Sequence, residues 1–137
     1  MTTTYSLHTQ YRKRLADIIT PVSIYLQIRD RFANPILLES SDYRGQDNSY
    51  SYICFNPLAS FSFTAGRVLE KMPDGQENSY AVSKANPLMD CLRRFGNAFQ
   101  SSPDSFKFST NGLSGYTQYD TVGWFEDIQL QGTPSQE

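Results

Sequence analysis

The chain has only two cysteines and one histidine in 137 residues. Cys54 and Cys91 lie far apart with no CxxC pairing, and no signal peptide precedes them, so the expectation is reduced thiols in a cytoplasm rather than a disulfide scaffold. Both are expected as small core residues. His8 sits alone in a Thr-rich stretch near the amino terminus, which leaves a zinc cluster without ligands and a Ser/His/Asp or Cys/His arrangement without a recognisable setting. Long apolar runs are missing as well. None approaches the roughly twenty residues that a bilayer-spanning helix needs, which predicts a soluble chain without a membrane partner. Charge of one sign is equally scarce: 12 Lys plus Arg against 14 Asp plus Glu give a net charge of -2. That balance offers no field strong enough to hold nucleic acid. Neither a P-loop nor a GxGxxG is present. Carboxylates such as Asp42, Asp120, Glu126 and Asp127 occur, but no spacing singles out an acid and base pair.

What the chain does have is aromatic side chains, 9 Tyr and 9 Phe, many alternating with Ser or Thr. That pattern favours strands. In ASFSFTA, Phe61 and Phe63 share one face while Ser60, Ser62 and Thr64 share the other, a period of two with one wet side. SYSYICF predicts a second strand covered on both faces toward its end. Arg67 to Met72 and Tyr80 to Ser83 flank Pro73, Asp74, Gly75 and Gln76, which reads as a hairpin with a turn near Pro73. Further strands are expected at Phe106–Phe108 and within Leu113–Tyr119.

Two helices are predicted from Thr20 before Pro21 and from Asn86 before Pro87, each pairing a capping side chain with a first-turn proline. Leu88, Cys91, Leu92, Phe95 and Phe99 make an apolar stripe at spacings of three and four. Ile24, Tyr25, Leu26, Ile28 and Phe32 make a broader face that predicts cover from more than one direction. The expected fold class is α+β, mostly antiparallel, as one curved sheet or two packed ones, with two main helices. A length of 137 residues predicts one domain, enough to bury about two-thirds of its unfolded surface.

PILLESSD is the most informative segment. The apolar run Ile36, Leu37, Leu38 stops at Glu39 and Ser40, and strand alternation sets Glu39 with Leu37 and Ser40 with Leu38. A carboxylate and a hydroxyl at the rim of an apolar layer suit a small ligand with a charged amine and an apolar body. The same residues also read as a strand running out into a polar turn.

Four segments in order, LADIITPVSIYLQIRD (15–30), PILLESSD (35–42), SYSYICFNPLASF (49–61) and GLSGYTQYDTVGWFED (112–127), resemble the amino-terminal region of anthranilate synthase component I. The helix ANPLMDCLRRF also suits that family. The related aminodeoxychorismate synthase component I shares the architecture; TPVSIYL and LLES favour the anthranilate enzyme. The resemblance implies a piece of a larger two-layer α+β enzyme. That enzyme converts chorismate to anthranilate with Mg2+, using ammonia from a glutamine amidotransferase subunit (component II), in tryptophan biosynthesis. Its carboxyl-terminal chorismate-binding catalytic region is absent from these residues, so this chain carries no catalytic or metal-binding residue of the family and is expected to be inactive alone.

The resemblance also implies a part of the L-tryptophan feedback site, with inhibitor contacts at Glu39 and Ser40 and a further one at Tyr50, where some relatives have a lysine. The missing half of that site predicts weak or no tryptophan binding by the chain alone. The same region of aminodeoxychorismate synthase component I and an independent small-ligand or protein-binding module stand as the alternatives.

Overall fold

In the computed structural model, residues 3–39, 50–102, 106, 108 and 110–124 are described, without the side chain of Asp120. In chain order the elements are β1 (Tyr5–Leu7), α1 (Pro21–Ile28), β2 (Ile36–Glu39), β3 (Ser51–Cys54), β4 (Ser60–Thr64), β5 (Arg67–Lys71), β6 (Glu77–Ala81), α2 (Leu88–Asn97), β7 (Phe99–Ser101) and a 3-10 helix (Tyr119–Trp124). The fold is α+β, as the sequence predicts. Its strands form three separate sheets, β1-β7, β2-β3 and β4-β5-β6. The chain divides into two compact units, one of Met1–Ser6, Ala59–Gln100 and Gly115–Glu137, the other of Leu7–Leu58 and Ser101–Ser114.

The first unit holds the core. β5 pairs antiparallel with β4 (Phe63↔Val68, Phe61↔Glu70) and with β6 (Val68↔Tyr80, Glu70↔Asn78). Partners across a ladder share a face, so Phe61, Phe63, Val68, Glu70 and Tyr80 point one way and the Ser, Thr, Arg and Lys residues of these strands the other. The apolar face meets α2. Val68, Leu88 and Cys91 are buried there with Phe61, Phe63, Tyr80 and Val82 packed around them. Phe95 is 1% exposed and lies 5.4 Å from the Phe61 ring and 5.5 Å from that of Phe99. Phe63 meets Trp124 edge-on at 5.0 Å.

The turns explain the register. β4 and β5 are joined by Ala65 and Gly66, both at positive φ (50° and 75°), the two-residue hairpin turn whose twist matches that of the strands. β5 and β6 are joined as the sequence predicts, around Pro73, Asp74 and Gly75. The Gln76 N–H donates to Asp74 Oδ1 at 3.0 Å, and Gly75 adopts φ 84°, a conformation costly for residues with a Cβ. β6 begins at Glu77, three residues before the predicted Tyr80.

α2 departs from its predicted start. Its cap position is Pro87, which makes no side-chain capping bond. Asn86 instead accepts a hydrogen bond from Arg94 Nη1 at 3.2 Å, so its polar side chain serves the last turn rather than the first. Phe99 continues the apolar stripe from β7 rather than from the helix.

In the second unit β2 and β3 pair antiparallel, Ile36↔Cys54 through Glu39↔Ser51, and α1 lies against both strands. α1 starts as predicted: Thr20 and Ser23 cap each other's backbone N–H in a capping box, with Pro21 at the first turn. One end of the hairpin is clamped by Ala33 and Asn56. Asn56 N–H donates to the Ala33 carbonyl at 2.8 Å, and Ala33 N–H donates to Asn56 Oδ1 at 3.0 Å. The broad cover predicted for α1 is not found. Ile24, Leu26 and Phe32 are 40%, 52% and 39% exposed, because only Pro21, Ser23, Tyr25 and Ile28 are partly covered. No described residue of this unit is buried.

The strand predicted within Leu113–Tyr119 is also absent. Residues 113–118 have no regular structure and Tyr119 opens the 3-10 helix. Tyr116 and Tyr119 stand three residues apart rather than two, and a strand needs a partner to satisfy its backbone. The strand predicted at Phe106–Phe108 falls in part outside the described residues.

Candidate functional site

The predicted site lies at the end of the β2–β3 hairpin away from the Ala33–Asn56 clamp. Glu39 is the last residue of β2 and stands exposed opposite Ser51. Alternation places it with Leu37, Ser51 and Ile53 on one face, and Leu38, Tyr52, Ile36 and Cys54 on the other. Tyr50 immediately precedes β3 at the same end of the ladder, where continued alternation sets it with Tyr52 and Leu38 on the face away from Glu39. Its half-buried ring is tilted against Phe108 at 5.5 Å. Phe108 stacks on Phe106 at 5.0 Å, and Phe106 meets Tyr11 edge-on at 4.8 Å. Tyr50 is thus the end of a row of four aromatic rings, which alternation within SYSYICF alone does not reveal because two members come from a segment more than fifty residues away. Ser40, the third predicted contact, lies outside the described residues, as do Asp42, Glu126 and Asp127. Glu39 and Tyr50 are therefore brought to one end of the ladder.

His8 is exposed in an irregular segment, as expected. Cys54 and Cys91 are both free thiols. Cys91 is buried, as predicted, whereas Cys54 is only half-buried, and its Sγ lies 3.4 Å from Ser114 Oγ.

A second polar cluster, in the first unit, escaped the sequence reading. Glu70 is 5% exposed and accepts a hydrogen bond from the Tyr80 hydroxyl. Arg94 Nη2 donates to that hydroxyl at 3.0 Å, and the guanidinium also stacks over the Tyr80 ring, 5.4 Å from its centre. Burial and the Glu70 carboxylate both push the Tyr80 phenol well above its ordinary range, against the opposing pull of Arg94. The hydrogen bond to Tyr80 in turn raises Arg94, which stays cationic. The available signal was the period of two in RVLEK, which sets Glu70 on the face of Val68 and demands a polar partner.

Fold and site together define an antiparallel α+β chain with an exposed carboxylate and a row of aromatic rings at one end of a two-stranded ladder. Among the described residues, no group of three or more His, Cys, Asp or Glu side chains is placed to hold a metal ion, and no helix is long and apolar enough to cross a membrane. The chain is 31% identical over 125 residues to anthranilate synthase component 1 of Lactococcus lactis subsp. lactis (strain IL1403), covering 87% of this chain and 25% of that protein. The relationship expected from the four sequence segments is borne out: this chain is a distant relative of anthranilate synthase component I. It spans a quarter of the length of the relative it matches. No protein-family model matches the chain, and no solved structure matches it.

Proposed function

We propose that this chain is the amino-terminal part of an anthranilate synthase component I and forms one wall of its tryptophan feedback site. The observation that carries the reading is the match to such an enzyme over 87% of the chain. On this reading residues 1–137 are a single regulatory and structural domain of a cytoplasmic protein. The parent converts chorismate to anthranilate with ammonia from its glutamine amidotransferase subunit, at the entry to tryptophan biosynthesis. Mg2+ serves that reaction. On this reading its ligands belong, with the catalytic residues, to the rest of the parent chain.

Glu39 pairs with the α-ammonium of L-tryptophan in a charge-assisted hydrogen bond, and Ser40 hydrogen-bonds the rest of the head group. The exposed position of Glu39 at a strand end supports this role, because the carboxylate is open to an incoming cation. The row from Tyr50 through Phe108 and Phe106 to Tyr11 offers aromatic surface for the indole. One wall leaves much of the ligand in water, so the chain alone binds tryptophan weakly or not at all. The apolar surface left open around α1, with Leu15 86% and Ile18 96% exposed, is read as ground covered by the rest of the parent chain.

Incubation of the chain with chorismate, Mg2+ and ammonia should give no anthranilate fluorescence above blank; fluorescence would refute inactivity. Micromolar binding in a calorimetric titration with L-tryptophan would refute the half-site. An independent module is distinguished by its reading frame, which would stop at Glu137 instead of continuing into a chorismate-binding region.

A further inference from the structure

The start of the chain is tied to the three-stranded unit by both the backbone and the side chain of Tyr5. The Tyr5 N–H donates to the Ala98 carbonyl at 2.8 Å, its ring stacks on Phe99 with centres 5.5 Å apart, and its hydroxyl donates to Asp74 Oδ2 at 2.8 Å. These anchors belong to different elements. Ala98 and Phe99 follow α2, whereas Asp74 sits in the β5–β6 turn, so Tyr5 spans from the end of the helix to the tip of the hairpin. Between the anchors runs a groove lined by Tyr5, Glu70, Met72, Asn78, Arg94 and Phe95, among others. Glu70 and Phe95 form its floor, 5% and 1% exposed. The Gln76 N–H and then the Tyr5 hydroxyl hold the Asp74 carboxyl below the usual carboxylate range, consistent with an anchor that accepts both bonds as a carboxylate.

We infer that Thr3–Ser6 is a detachable strap, fastened by the Tyr5 hydroxyl to Asp74, that closes this groove over Glu70 and Phe95 and opens without unfolding of the β4-β5-β6 sheet. Two features of the chain make separate opening cheap. β1 has only three residues, and the stretch after it, residues 8–16, has no regular structure. Elements with few buried contacts open at a small fraction of the global unfolding free energy. β5, by contrast, is paired on both sides and carries the fully buried Val68.

Native-state amide exchange of the whole chain tests the strap. The amide at position 5 should exchange at least about tenfold faster than those of Val68 and Glu70, as expected for a local opening. Tyr5→Phe keeps the ring and loses the hydroxyl. It should speed exchange at position 5 about fivefold and leave the β5 amides within about twofold of the parent rate. Asp74→Ala should speed position 5 similarly, and the double variant should add nothing, since both single changes remove the same bond. Exchange at position 5 in step with β5 would overturn the inference, because the strap would then open only on global unfolding. So would an unchanged rate at position 5 in Tyr5→Phe, or additive effects in the double variant.

Discussion

Glu70 is the charged side chain that the described residues bury, and its cost is offset by a hydroxyl that is itself held by a cation. Removing one member of such a chain leaves the next without its partner, which costs more than the bond itself contributes. Tyr80→Phe should therefore lower unfolding free energy by about 2 kcal/mol. With Glu70→Gln already in place the same change should cost about half as much, since no buried carboxylate is left without its donor. A double-mutant cycle by denaturant unfolding reads this coupling, and strictly additive losses would contradict it.

The Tyr80 phenol also gives a pH signature. Its folded pKa is raised above the unfolded one. The stability it contributes is thus fully present below an unfolded pKa of about 10 and is lost as pH rises through that value toward the folded one. Unfolding measured in the alkaline range should show a decline in the parent that is reduced in Tyr80→Phe. Glu70 was in principle legible from the alternation of RVLEK. Its partner Tyr80, and Arg94 behind Tyr80, were not, because they come from another strand and a helix whose placement depends on packing.

At the scale of elements, local sequence decided where turns and caps carried the geometry. Thr20 with Ser23 and Pro21 forms the expected cap, so Thr20→Ala should cost about 1 kcal/mol and lower helical content by circular dichroism. Unchanged stability and helical signal would argue against the capping box. Ala65 occupies the first position of a hairpin turn at φ 50°, where Asn is favoured over Ala. Ala65→Asn is expected to raise stability by about 0.5–1 kcal/mol in the same unfolding assay, and a loss would show that the turn has another geometry. Asn86 misled because an Asn-Pro pair marks a helix start statistically, whereas here the Asn side chain found a better donor in Arg94. The strand expected within 113–119 does not form, because a strand is a property of two segments. β1 and β7 went unpredicted for the same reason: three residues each carry too little pattern, and their pairing spans most of the chain.

At the scale of the molecule, the buried side chains among the described residues all belong to one of the two units. The other has an eight-residue helix with no buried residue over a two-stranded ladder, and isolated hairpins are marginal in water. Open apolar surface of this kind favours association. Light scattering of the chain alone should show self-association that grows with concentration, and a strictly monomeric species at high concentration would count against it. The edge bearing Glu39 belongs to this unburied unit. The exposed carboxylate at the strand end was legible in LLES; the aromatic row at that end of the ladder was not, since Phe106 and Phe108 reach Tyr50 only through the fold.

The proposed regulatory role is tested most directly by tryptophan inhibition of the full-length protein carrying this chain. Anthranilate formation by the parent should be inhibited by L-tryptophan, and Ser40→Phe, which fills the head-group site, should relieve that inhibition while sparing turnover. Undiminished tryptophan sensitivity in the Ser40→Phe enzyme would contradict the assignment.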